Sequence, residues 1–191
     1  MRIQISREQN KNLSDRLIIK IVEVGEVPEK LVQDLLPRLM ESFALLADDC
    51  RVDETIEIPP TAYDVLREQH NADVLLDHVR RKTTGNDKVL ALTNADLFHG
   101  SLNFVFGQAQ CPGNVALVSI CRLDPVFYGH SPNYELLLER TAKEAIHELG
   151  HAFGLEHCQN TDCVMSFSNS IHEVDKKSTF LCEKCRKKLY G

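Results

Sequence analysis

The chain has 191 residues, 43% apolar and 26% charged, with a formal net charge of −6. Those values exclude a collagen-like, low-complexity or wholly disordered polymer, and they supply enough apolar surface for one domain but not for two. No apolar run approaches the roughly 20 residues that a membrane-spanning helix needs. The negative balance argues against nucleic acid as a partner. Residues 1–15 are charged and lack an apolar stretch followed by small residues, which argues against an export signal. The expectation is a cytoplasmic, monomeric single domain over residues 1–191, with a larger part at 1–154 and a smaller, irregular part at 155–191.

Residues 17–24 are rich in Leu, Ile and Val and stop at Gly25, the pattern of a buried strand. Val32, Leu35, Leu36, Leu39, Met40, Phe43 and Ala47 recur at three- and four-residue spacing, which predicts an amphipathic helix kinked or restarted at Pro37. Residues 51–58 form a second predicted strand closed by Pro59-Pro60, and 61–70 read as loop. Asn71 is a cap for a helix over 72–83, with Val74, Leu75 and Val79 inward. After a turn at Gly85-Asn86-Asp87 come a strand over 88–93 and a hairpin of 102–106 and 115–121 around Pro112-Gly113. Ser131-Pro132 marks the start of a long helix that runs to about Phe153 and ends at Gly154. Its inward face is Leu138, Ala142, Ala145 and Leu149. Alternating strands and helices predict an α/β (α+β) fold with a sheet of mixed direction.

That long helix closes on His147-Glu148-Leu149-Gly150-His151, followed by Gly154 and His157, the pattern H-E-x-x-H-x-x-G-x-x-H. Two histidines four apart lie about 40° apart around a helix, so both imidazoles can face one ion. Gly154 lets the chain leave the helix and double back, so His157 can supply a third nitrogen. Three neutral imidazoles leave a fourth position open, as in a catalytic rather than a structural zinc site. Glu148 projects from the edge of the same face, within reach of a zinc-bound water but not itself a ligand. The chemistry this suits is peptide-bond hydrolysis by that water with Glu148 as general base. A zinc-containing module that only binds peptides or a partner is the alternative, and it has no need of Glu148.

Four of the seven cysteines cluster near the end: Cys158-x4-Cys163, then 18 residues, then Cys182-x2-Cys185. This spacing suits a closed four-thiolate structural zinc, which makes two zinc ions per chain. A pair of disulfides or a redox-active Cys-x-x-Cys is the other reading. Cys158 directly follows His157, so closing the thiolate site would position the third histidine. Cys50, Cys111 and Cys121 are expected as small buried hydrophobes. The basic tail of Lys184, Arg186, Lys187 and Lys188 reads as a solvated face rather than a nucleic-acid site.

With Met165 placed in Cys163-Val164-Met165-Ser166-Phe167, the stretch from Thr141 to Cys185 resembles the archaemetzincin (archaelysin) family of metzincin zinc metalloproteases. The resemblance implies His147, His151 and His157 as catalytic-zinc ligands and Glu148 as general base. It implies Met165 as a turn methionine beneath the metal, and Cys158, Cys163, Cys182 and Cys185 as ligands of a structural zinc. It further implies a twisted sheet whose antiparallel edge strand borders the cleft and holds a peptide or small protein substrate extended, with 102–106 as that strand. Several metzincins carry a tyrosine two residues after the methionine; here Phe167 stands there and has no hydroxyl. Tyr128, His130 and Tyr134 are the candidates to replace it.

Overall fold

The structure is a computed structural model that describes residues 17–191; the reading of residues 1–15 lies outside them. The chain runs β1 (Ile18–Val24), α1 (Glu29–Phe43), β2 (Asp49–Ile56), a short 3-10 turn at Pro60–Ala62, β3 (Tyr63–Asp64), β4 (Gln69–Asn71) and α2 (Ala72–Lys82). It continues through β5 (Lys88–Thr93), β6 (Leu97–Phe98), β7 (Gly107–Ala109), β8 (Val115–Ser119), a second 3-10 turn at Pro125–Tyr128, α3 (Tyr134–Ala152), α4 (Ile171–Lys176) and α5 (Glu183–Tyr190).

The main sheet has the order β2-β1-β5-β8-β7. The first four strands are parallel and β7 is antiparallel to β8 at one edge. Alternation along each inner strand divides the core in two. Ile19, Ile21, Leu90, Leu92, Ala116 and Val118 pack with α1 and α3 on one face. Val22, Val24, Val89, Ala91, Val115 and Leu117 pack with α2 on the other. Burial on both faces is why these strands read as continuous apolar runs. Leu138, Ala142, Ala145 and Leu149 all face the core as expected; cutting Leu149 back to alanine costs about 2–5 kcal/mol. Among the described residues no helix is long and apolar enough to cross a membrane.

Four sequence expectations are corrected. Residues 61–70 are not all loop, because β3 and β4 join β6 in a small second sheet. Residues 102–106 form no strand beyond a single bridge from Val105 to Leu97; the partner of β8 is β7. Helix α3 starts after Asn133, whose side chain accepts from Leu136 N, rather than at Ser131-Pro132. Helix α1 runs unbroken through Pro37, which lies on its exposed side, so the proline does not restart it. Asn71 does cap α2, accepting from Asp73 N and Val74 N.

Candidate metal centre and active-site cleft

Helix α3 crosses the sheet and brings its last two turns to the open edge at β7. Its end is shaped by Gly154, whose φ of +93° lets Gly154 N and Leu155 N return to His151 O and Gly150 O. The chain then turns back, and His147, His151 and His157 converge: their candidate ligand atoms all lie within 4.8 Å of one another.

The hydrogen bonds decide which nitrogens face inward. His147 Nδ1 lies 2.8 Å from Val164 O and His151 Nδ1 lies 2.7 Å from Leu155 O. A carbonyl only accepts, so each Nδ1 carries the proton and each Nε2 presents a lone pair. Those two Nε2 atoms are 3.1 Å apart. Burial lowers the pKa of all three imidazoles, that of His147 furthest, so they stay neutral. Two lone pairs at that distance repel unless a cation sits between them, and three imidazoles converging this way fit zinc. Met165 is fully buried, and its thioether occupies the space that a side chain on Gly150, between His147 and His151, would need.

Glu148 is 6% exposed and lines a cleft of about 270 Å³ with the three histidines. Burial, with a further push from Glu144, holds its carboxyl well above the ordinary carboxylate range, while Lys177 opposes the shift. Gly107 of β7 presses against it: a Cβ on Gly107 would lie 2.7 Å from Glu148 Cγ. Ser119 N donates to Phe106 O and Gln110 N to Val115 O, so residues 106, 108 and 110 bond inward to β8. The N–H and C=O groups of Gly107 and Ala109 therefore point outward along the cleft.

The cysteine cluster lies just behind. The sulfurs of Cys158, Cys163, Cys182 and Cys185 are all within 4.8 Å of one another, and all seven cysteines are free thiols. Cys158 Sγ and Cys182 Sγ are 3.8 Å apart, which matches the edge of a tetrahedron built on metal–sulfur bonds of about 2.3 Å. A hydrogen bond from the Cys185 backbone N–H is the main force drawing the Cys182 thiol down to about 7, toward the thiolate a metal requires.

The candidate oxyanion groups do not reach the cleft. Tyr134 Oη donates to Asp34 Oδ2 at 2.6 Å and Tyr128 Oη to Arg122 O at 2.9 Å, and neither they nor His130 line it. Cys50 is buried as expected, but Cys121 is half-buried and Cys111 is exposed at the cleft wall. Sequence reasoning missed Gly107, and it missed Glu144 paired with Lys177. The position of Glu144, one helical turn before Glu148, was a readable signal; nothing local pointed to Lys177.

A sequence model of peptidase family M54 matches residues 16–190. The archaemetzincin of Methanocaldococcus jannaschii is 44% identical over 171 residues, covering 90% of this chain and 92% of that protein. The crystal structure of the archaemetzincin of Methanopyrus kandleri superposes with a TM-score of 0.82 at 39% identity, over 94% of this chain and 97% of that one. A zinc-dependent peptidase from Methanocorpusculum labreanum superposes with a TM-score of 0.79 at 32% identity, over 90% and 99%. With the histidine geometry and the mixed sheet in place, these likenesses settle the family: the chain belongs to peptidase family M54, the archaemetzincins, and is a zinc-dependent metallopeptidase.

Proposed function

We propose that His147, His151 and His157 hold the catalytic zinc, that Glu148 is the general base, and that Cys158, Cys163, Cys182 and Cys185 hold a second, structural zinc. The observation that carries this reading is the pair of unprotonated Nε2 atoms 3.1 Å apart, each locked by a main-chain carbonyl on the opposite ring nitrogen. When bound there, zinc supplies Lewis acidity, activating a water in the open position and polarising the scissile carbonyl. The chain does the rest. Gly107 and Ala109 hold an extended peptide by its main chain, antiparallel to the sheet edge. Glu148, with its proton affinity raised by burial, takes the proton of the attacking water and returns it to the leaving nitrogen.

All the groups in this reading come from one chain, so the site needs no residue from a second copy. Seven free thiols support a reducing compartment such as the cytoplasm. The basic tail is partly neutralised by its own acids: Lys187 pairs with Glu183 and Lys188 with Glu156, in keeping with a solvated face and no nucleic-acid partner.

Elemental mass spectrometry on protein purified without chelator tests the metal content. Two zinc ions per chain are expected, one after His151→Ala and one after Cys185→Ser. A single zinc in the wild type that survives either substitution would refute the corresponding site.

A further inference from the structure

Glu144 and Lys177 are buried charges that the hydrolysis above does not use. Glu144 lies on α3 and Lys177 follows α4; their side chains are 4% and 1% exposed, with Lys177 Nζ 2.8 Å from Glu144 Oε1. Lys177 Nζ also donates to Ser166 O at 3.4 Å. Such a pair adds little stability by itself, because desolvation offsets the coulombic gain; its location carries more information. The ammonium neutralises Oε1, and among the described residues no donor meets the other carboxylate oxygen, Oε2, which keeps its accepting capacity. Ser168 Oγ is buried without a partner. Both residues line the cleft that holds Glu148, along with Phe104, Phe106 and Phe167.

Unpartnered polar atoms at a cleft wall are costly unless a ligand satisfies them. Glu144 precedes Glu148 by four residues, about 6 Å along the helix. That distance is within reach of one extended side chain on a residue flanking the bond cleaved at Glu148. We propose that Glu144 and Ser168 form the polar end of a subsite for the substrate side chain flanking the scissile bond, and that this subsite selects an uncharged donor-and-acceptor group, above all a carboxamide. The inference rests on the reading of Glu148 as the base.

The chemistry follows from the ion pair. A substrate amide nitrogen donates to Glu144 while its carbonyl accepts from the Ser168 hydroxyl, and the phenylalanines cover the methylene stem. An acidic side chain brings a charge out of water toward a pair that is already neutral, and of that pair only Glu144, the member of its own sign, lines the cleft. A basic one brings a charge out of water toward a partner that Lys177 has already neutralised. A leucine leaves both polar groups unpaired.

Peptides differing only in the residue on either side of the cleaved bond (Gln, Leu, Lys or Glu) test this, with cleavage followed by mass spectrometry. Glutamine is expected to exceed leucine by about 10- to 100-fold in kcat/KM, with glutamate poorest. Glu144→Leu combined with Lys177→Met, which leaves no lone buried charge, should reverse the Gln-to-Leu ranking. Glu144→Gln with Lys177→Met should keep it while accepting glutamate better. Ser168→Ala, which leaves the ion pair intact, should by itself narrow the glutamine preference several-fold. Dissociation constants of the same peptides for Glu148→Gln protein should follow the same order. The proposal is overturned if the wild type takes leucine as readily as glutamine, or if the preference is unmoved in Ser168→Ala or in the Glu144→Leu double variant. Cleavage that survives Glu148→Gln would count instead against the base, leaving the subsite to be judged by the dissociation constants.

Discussion

The three histidines and the four cysteines meet at adjacent residues, His157 and Cys158, yet they are held together in opposite ways. His147 and His151 take their spacing from a long helix packed on the sheet, and their ring orientation from the carbonyls of Val164 and Leu155. The cysteines sit mostly in irregular chain, where Cys158 has one bridge to Ser166 and Cys182 only begins α5. The fold builds the histidine site, whereas on the reading proposed above a metal on the cysteines would organise the segment around them. The two are joined: Val164, which orients His147, follows Cys163 directly, and Cys158 N donates to Met165 O at 2.9 Å.

The largest effect should come from the chemistry the fold has arranged. Glu148→Gln is expected to lower kcat on the order of 10³- to 10⁴-fold while leaving zinc content unchanged; a variant that stays active would remove Glu148 from the base role. Gly107→Val attacks the same side from the sheet edge. Its first carbon would fall 2.6 Å from Leu117 O and 2.9 Å from Glu148 Oε1, so kcat should drop by about 10² with both metals retained. Equal kcat in that variant would mean that the carboxylate does not depend on its seat against β7.

Cys185→Ser turns the comparison to the other cluster. Beyond losing its own metal, this variant should bind zinc at the histidines about 10- to 100-fold more weakly, measured by competition with a chelator. Unchanged affinity would show the sites to be independent despite their shared backbone. His151→Ala should not produce the reverse effect on the thiolates, since α3 is held by the core. The smallest change is Asn71→Ala at the cap of α2: a loss of about 1 kcal/mol of stability with kcat unaltered, because α2 packs on the far face of the sheet from α3.

Much of this was legible in one dimension. Helix periodicity placed Leu138, Ala142, Ala145 and Leu149 on the core side and the histidines on another. The apolar runs at β1, β5 and β8 announced strands, the first of them as a buried one. These signals are local, carried by spacings of two to four residues within one element. The edge strand was misplaced because Leu102, Phe104 and Phe106 are apolar for a different reason. Leu102 lines the cleft beside Glu148, Phe104 and Phe106 do so while also packing against the core, and the short strand that pairs with β8 is the unremarkable Gly107–Ala109.

By itself, then, the sequence determined the active-site helix, its H-E-x-x-H-x-x-G-x-x-H signature, the clustered cysteines and the alternating order of the fold. Only the tertiary structure decided which backbone edge faces the cleft, which imidazole nitrogen carries the proton, and where the charges of Glu144 and Lys177 are buried. Each of those depends on partners from 11 to 33 residues away, Val164 O for His147, Val118 for Gly107 and Lys177 for Glu144, brought together by packing rather than by any repeat along the chain.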